Sequence, residues 1–265
     1  MEFQNIMNEP YPGTQAVMRA ISLLKVFSEE QPELNLNEIA QVVNLKKTTA
    51  FRLLAALESE GLVARGQRAD TYCLGPEILT LAGRALRSHD LRSASRSALE
   101  WLAQQTGETA TLEIRVHDSV LILDEVPGSH LLGVAPWIGT LWPLHATSTG
   151  KVILAYQSPD ERREALQAPL AALTHLTIVN REKLNIELEN IHRQGYATAF
   201  EEIEPGFVAI AAPVFRIDGM VAGAISIGGP AIRLTAKVVE ELAGLVMQQA
   251  QTISYGLGYQ PPNEE

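Results

Sequence analysis

Residues 34–75 read "LNLNEIAQVVNLKKTTAFRLLAALESEGLVARGQRADTYCLG". Two helical patterns and two strand patterns share that stretch. The first helix is expected from about Asn37 to Val43. Asn44 and Leu45 make a short turn. The second helix starts near Lys46–Thr48 and sets Phe51, Leu54 and Leu57 on one face, and Gly61 stops it. "LVARGQRADTYCLG" reads as two short strands around a tip from Gly66 to Asp70. Upstream, "TQAVMRAISLLKVFSEE" supplies another helix. There Thr14 can cap, Val17, Ile21, Leu24 and Phe27 share a face, and Pro32 ends the run. Three helices followed by a two-stranded wing are the plan of a winged helix-turn-helix.

The chemistry of that plan fits double-stranded DNA. Lys46 and Lys47 fall at a helix N-terminus, beside the hydroxyls and N–H groups of Thr48 and Thr49, a combination that attracts phosphate. Arg52 lies one turn on, within reach of a groove. Arg65 and Arg68 sit in the wing, and Arg19 projects from the first helix, opposite its apolar face. A protein-binding winged helix with solvated basic residues is the bland alternative. From Thr14 to Arg87 nine Lys/Arg stand against eight Asp/Glu, and from Ser88 onward twelve stand against twenty-one. Binding must therefore rest on placement, doubled through a dimer, and not on bulk charge.

The totals bound the rest. A chain of 265 residues allows roughly two domains. A net charge of −10 argues against a general nucleic-acid coat. The longest apolar runs, "VAIAAPVF" and "GMVAGAISI", fall short of a membrane span, so no membrane partner is expected. "MEFQNIMNEPYPG" lacks the apolar core of a signal peptide. A single cysteine, Cys73, leaves no internal disulfide and no cysteine cluster for zinc. A cytoplasmic protein without metal or cofactor is expected.

Beyond residue 75, "PEILTLAGRALRSHDLRSASRSALEWLAQQTG" is mostly helical. "TATLEIRV" and "VLILDEV" are strands joined by a turn at His117-Asp118. "GKVILAYQ", "SPDERREALQ" and "REKLNIELENIHRQG" read as helices. "YATAFEEIEPGFVAIAAPVFRIDGMVAGAISIGG" holds three strands with an Asp218-Gly219 turn. A long amphipathic helix, capped by Thr235, closes the chain. The expected class is α+β. The expected organisation is a flexible arm (1–13), a winged helix-turn-helix (14–75), a linker helix (76–90), an α+β domain (91–257) and a loose tail (258–265).

Several catalytic spellings fail for want of companions. Ser148-Thr149-Gly150-Lys151 has the S-x-x-K spacing of a serine nucleophile, but no S-D-N or K-T-G follows. As the end of a phosphate loop it needs glycine where His145 stands and Ser or Thr where Val152 stands. "AISIG" (224–228) approaches a nucleophile elbow, yet no Asp or His follows Ser226. "ENIH" (189–192) matches half of a di-iron site without a second copy, and His192 reads as a surface residue at a helix end. A lone His145 is read as structural. Lys151 reads as an ordinary first-turn residue whose charge opposes the helix dipole. Glu201 and Glu202, adjacent in a strand, would point to opposite faces. No catalytic residue is assigned.

The order of winged helix, linker helix and α+β domain resembles the IclR family of bacterial transcription regulators. "QAVMRAISLLKVF", the helix-turn-helix stretch, "YCLGPEILTLA", "WPLHATSTGKVILA", "GYATAFEEIEPGFVAIAAPVF" and "GAISIGGPAIRLT" carry the resemblance, in family order, from about residue 14 to residue 255. It implies a GAF-like effector-binding domain in a homodimer or homotetramer. It also implies a pocket that includes Leu144, Ser148, Thr149, Ala209, Ser226 and Gly228. Trp137, Trp142 and Phe207 are candidate walls. Ala199 and Phe200 stand where many members carry acids, Ala209 stands for a polar or cysteine residue, and Gly228 stands for a second serine. A less polar pocket follows, for an effector larger than the small oxo-acids and rather apolar or aromatic, with one acidic group. The expected function is ligand-responsive repression or activation of a catabolic operon. An enzyme using the C-terminal pocket, with the winged helix as an oligomerisation module, is the alternative.

Overall fold

Helix starts and stops in the first unit follow local chemistry. The computed structural model describes residues 13–28, 30–87, 90–130 and 138–261, and the chain divides into two units at Ser88/His89. The first holds α1 (Gln15–Leu24), β1 (Leu34–Asn35), α2 (Leu36–Val42), α3 (Lys47–Ser59), β2 (Val63–Arg65), β3 (Thr71–Leu74) and α4 (Pro76–Arg87). Asn35 opens α2 one residue ahead of expectation, through a capping box. Its Oδ1 accepts from the N–H groups of Asn37 and Glu38, while Glu38 Oε2 accepts from Asn35 N–H at 2.7 Å. Asn44 takes the left-handed conformation (φ 52°) that turns the chain from α2 into α3. The sheet has three antiparallel strands in the order β1-β3-β2. A two-residue β1 is too short to leave a periodic signal.

The apolar faces of two helices differ from the reading by periodicity. On α3 the buried residues are Ala50, Leu54 and Leu57, and Phe51 is 49% exposed. The core face is centred about one residue earlier than the spacing of the large side chains implies. On α1, Leu23 is buried, with Ala20, Leu24 and Phe27 packed on the same core, while Val17 and Ile21 are exposed. Its apolar residues occupy more than one face, and packing against α3 selects among them. Thr14 precedes α1 without capping it through its side chain, and Thr235 likewise precedes the last helix.

The second unit holds α5 (Asp90–Thr106), β4 (Thr109–Val116), β5 (Ser119–Val126), β6 (Leu141–Pro143), a 3-10 turn (Leu144–Ala146), α6 (Ser148–Ala155) and α7 (Pro159–Ala165). There follow α8 (Arg181–Gln194), β7 (Ala197–Phe200), β8 (Phe207–Phe215), β9 (Val221–Pro230) and α9 (Ala236–Gly256). Six antiparallel strands run in the order β6-β5-β4-β9-β8-β7. Helices α5 and α9 pack together on one face of the sheet, and α6, backed by α8, packs on the other. Val152, Ile153, Leu154, Leu184, Leu188 and Ile191 fill the α6–α8 side. This is an α+β fold.

The expected linker helix is α4, which groups with the first unit, and α5 begins anew at Asp90. The expected arm lies outside the described residues as far as residue 12. The tail is not loose at its start. Tyr259 N–H donates to Ser254 O at 3.0 Å, and its ring stacks on Phe215; residues 262–265 lie outside the described chain. Among the described residues no helix is long and apolar enough to cross a membrane.

Candidate nucleic-acid interface and effector pocket

On the first unit, Lys46 precedes α3 and Lys47 opens it, and no side chain caps this helix. Lys46, Lys47, Thr48 and Arg52 are exposed and Thr49 is half-buried. The α3 mouth therefore presents free N–H groups between two ammonium groups, an arrangement suited to phosphate. Arg19 is half-buried on α1. The wing arginines are held by acids. Arg65 Nε donates to Glu58 Oε1 at 2.9 Å, with its guanidinium 4.4 Å from the centre of the Tyr72 ring. Arg68 lies over Glu33, Nε to Oε2 at 3.4 Å.

Glu33 is the clasp of the wing. Its carboxylate accepts from the N–H groups of Gln67 (2.9 Å) and Arg68 (3.1 Å) and from Thr71 Oγ1 (2.8 Å). The two backbone bonds, then Thr71, hold its pKa down to about 2 from 4.5. A depressed carboxylate stabilises the fold above about pH 4.5 and loses that contribution as pH falls towards about 2. Glu33→Gln is therefore expected to loosen the wing at neutral pH and to flatten this part of the acid response. Amide exchange at Gln67 and Arg68 is the measurement; wild-type protection in the variant would show that Glu33 does not hold the wing.

In the second unit a cavity of about 280 Å³ opens between the sheet and α6. Cross-strand register builds its floor. Thr109 on β4, Gly228 on β9, Ala209 on β8 and Ala199 on β7 form one row. Thr111 and Ser226 start the next row, and Ile122, Glu113 and Ala224 lie in the third. Thr147, Ser148 and Thr149 at the mouth of α6 make one wall; Trp142, Ile203, Glu204 and Phe207 make the others. Ser148, Thr149, Phe207, Ala209, Ser226 and Gly228 thus meet at one cavity. Leu144 does not line it. Leu144 lies in the core beneath α6, because the 3-10 turn directs it at Val152 and its neighbours and away from the cavity. Trp137 lies outside the described residues.

Two departures from the resemblance acquire a physical reason. A Cβ at Gly228 would stand 2.6 Å from the Phe207 ring, so the missing side chain makes room for that ring. Phe200 sits on the edge strand and does not line the cavity; Ala199, one residue earlier, does.

On the polar side of the cavity Ser148, Thr149 and Ser226 were expected, and Thr109, Thr111 and Glu113 of β4 were not. Thr111 Oγ1 lies 2.9 Å from Glu113 Oε1 and 2.7 Å from Ser226 Oγ, and Thr149 Oγ1 donates to Glu113 Oε2. Burial pushes the Glu113 carboxyl above its ordinary range, against both hydroxyl bonds. The alternation in "TATLEIRV" did hold the signal. Thr109, Thr111 and Glu113 share one face, but such a face reads by default as solvated, and only the cover of α6 makes it a site.

Lys151 is not an ordinary first-turn residue. All eight residues of α6 are buried, and Lys151 is 1% exposed. Its Nζ lies 2.6 Å from Glu202 Oε1 and 3.7 Å from Glu187 Oε1. Burial pushes the Glu202 carboxyl upward and Lys151 pulls it down. Glu201 and Glu202 lie past the end of β7, in a turn and not in a strand. Glu201, with φ 54°, accepts from Gly206 N–H at 2.7 Å. Both acids thus shape the segment that carries Ile203 and Glu204 to the cavity. His145 donates to Ala171 O at 2.9 Å and does not line the cavity.

A winged helix-turn-helix with an open basic helix, in one chain with a domain enclosing a small cavity, defines a ligand-responsive DNA-binding regulator. The IclR helix-turn-helix domain model matches residues 16–66, and the model for the C-terminal part of bacterial IclR transcriptional regulators matches residues 83–255. The chain belongs to the IclR family. It is 30% identical over 248 residues to the HTH-type transcriptional regulator KdgR of Escherichia coli, covering 93% of this chain and 94% of that one. An IclR transcriptional regulator from Alicyclobacillus acidocaldarius superposes with a TM-score of 0.82 at 28% identity, covering 93% and 99% of the two chains. An IclR homologue from Microbacterium hydrocarbonoxydans, crystallised with 4-hydroxybenzoate, gives 0.78 at 28%, covering 91% and 98%. Family members are transcriptional regulators and not enzymes.

Proposed function

We propose that the chain is a cytoplasmic regulator of a catabolic operon, binding operator DNA as a homodimer or homotetramer and sensing a one-ring organic acid. The observation that carries the DNA reading is the uncapped mouth of α3 with Lys46, Lys47, Thr48 and Arg52 exposed around it. Lys46, Lys47, Thr48 and Thr49 take phosphates, Arg52 reaches the groove, and Arg65, Arg68 and Arg19 flank it. Exposed Val17, Met18 and Ile21 on α1, and Leu79 and Leu81 on α4, suit a dimer face.

The effector reading rests on the cavity. About 280 Å³ is at the lower end for ligand sites, which suits one ring. Trp142, Ile122, Ile203 and Phe207 offer apolar contact. Thr147 Oγ1 caps Gly150 N–H at 3.0 Å, which leaves the first N–H groups of α6 and the buried Ser148 hydroxyl for a carboxylate. Binding would favour one spacing of the two winged helices, and about 1–3 kcal/mol of coupling is enough for a switch.

Operator binding by gel shift with the upstream region of its own operon is the test. Lys46→Ala should weaken binding on all sequences and lower the salt slope by about two in a dimer, one phosphate per half-site. Arg52→Ala should cost about 1–3 kcal/mol per half-site. No shift at low salt, with both variants indistinguishable from wild type, would overturn the proposed interface.

A further inference from the structure

If the effector is an acid seated at the mouth of α6, it meets an acid already there. Thr149 is the second residue of α6, and its hydroxyl donates to the buried Glu113. A carboxylate on the Ser148 and Thr149 N–H groups would lie beside the Glu113 carboxyl. Two carboxylates in one desolvated site do not both stay ionised; one holds a proton.

The surrounding charges do not relieve this. Among the described residues no Lys, Arg or His lines the cavity, and Glu204 adds a further acid. Lys151 on α6 is engaged by Glu202 and Glu187. Arg92 and Arg96 on α5 hold Asp124 of β5, which pairs with Leu112 on the far face of the sheet. Arg115 on β4 donates to the His117 carbonyl. Glu125, opposite Thr111 on β5, is buried and acidic, and Arg233 is bound to Glu108. β8 and β9 carry no charged residue.

We infer that an acid effector binds this pocket together with one proton, held by Glu113 against the effector carboxylate, so that Glu113 decides which charge state the pocket accepts. The inference rests on the acid-effector reading above. The proton comes from solvent and returns to it on release. Glu113 is thereby a specificity-determining residue: it favours monoacids, penalises diacids, and makes the response stronger as the surroundings acidify. The upward push on Glu113 from burial agrees with this sense.

Calorimetric titration of the full chain with benzoate, 4-hydroxybenzoate and phenylacetate, and with neutral benzamide, tests the inference from about pH 5.5 to about pH 9. Paired buffers of different ionisation enthalpy count the protons. Wild type should take up close to one proton per acid at the alkaline end, losing affinity about tenfold per pH unit there. Benzamide should show neither effect. Glu113→Gln should bind the acids without proton uptake, and at least about tenfold more tightly than wild type near pH 9. Should that variant fail to fold, the wild-type proton count against benzamide still decides. Acid binding that is flat in pH with no proton uptake overturns the inference and leaves the acid-effector reading intact. No binding of any acid to either form, at any pH, overturns both.

Discussion

Lys151→Ala is expected to destabilise the second unit by about 3–5 kcal/mol, because it leaves Glu202 buried without its cation. For a unit of this size that lowers the melting temperature by roughly 10 °C. The charge is buried under α8 and the segment after β7, and the other side chain at Lys151 Nζ, Glu187 at 3.7 Å, is itself an acid and cannot replace the cation. Glu202→Gln should cost less, since Lys151 keeps Glu187 and an amide can still accept. The double variant Lys151→Met/Glu202→Gln should recover much of the loss, because an apolar chain of similar length meets a neutral amide. Thermal unfolding of wild type, Lys151→Met, Glu202→Gln and the double variant closes the cycle. Strict additivity would falsify the claim that Lys151 and Glu202 act as a pair.

Gly150→Ala is the second large effect, and its sign is the point. Glycine in a helix usually weakens it by about 0.5–1 kcal/mol relative to alanine. At Gly150, however, an added Cβ would stand 2.2 Å from Leu144 O and 2.5 Å from Leu144 Cα. Both are backbone atoms, so no rotamer can relieve the overlap, and the 3-10 turn must move. The expected cost is about 3 kcal/mol, with loss of the geometry at Thr147–Thr149 and hence of effector binding. At Gly244, in the middle of α9, an added Cβ would meet nothing within 4 Å beyond the backbone of its own helix. Gly244→Ala should therefore stabilise by about 0.5–1 kcal/mol. Denaturant melts of both variants give the comparison; a shift in the same direction for both would refute the close approach at Gly150.

Much of the fold was legible in local pattern. The α2–turn–α3 stretch announces itself through period, Asn44 and Gly61, and the strands of the second unit through alternation and turn residues. Those features depend on residues within a few positions of each other, which a sequence displays directly. The errors have a common origin. Val17, Ile21 and Phe51 are apolar at helical spacing, yet tertiary packing chose Leu23, Ala50 and their neighbours. Leu144 matched the family pattern and went to the core.

The chain by itself determined the winged helix-turn-helix, the basic mouth of α3 and the α+β domain after it, because each is written in neighbouring residues; the part of the cavity lining that was expected came from the family resemblance and not from local pattern. Tertiary structure alone decided what Ser148-Thr149-Gly150-Lys151 does. Thr149 reaches Glu113 across 36 positions, Lys151 reaches Glu202 across 51, and the floor bond from Thr111 to Ser226 spans 115. Burial turned a first-turn lysine into one half of a buried ion pair and a polar strand face into the wall of a pocket. Solvent access is a property of the packed molecule, and no window of sequence contains it.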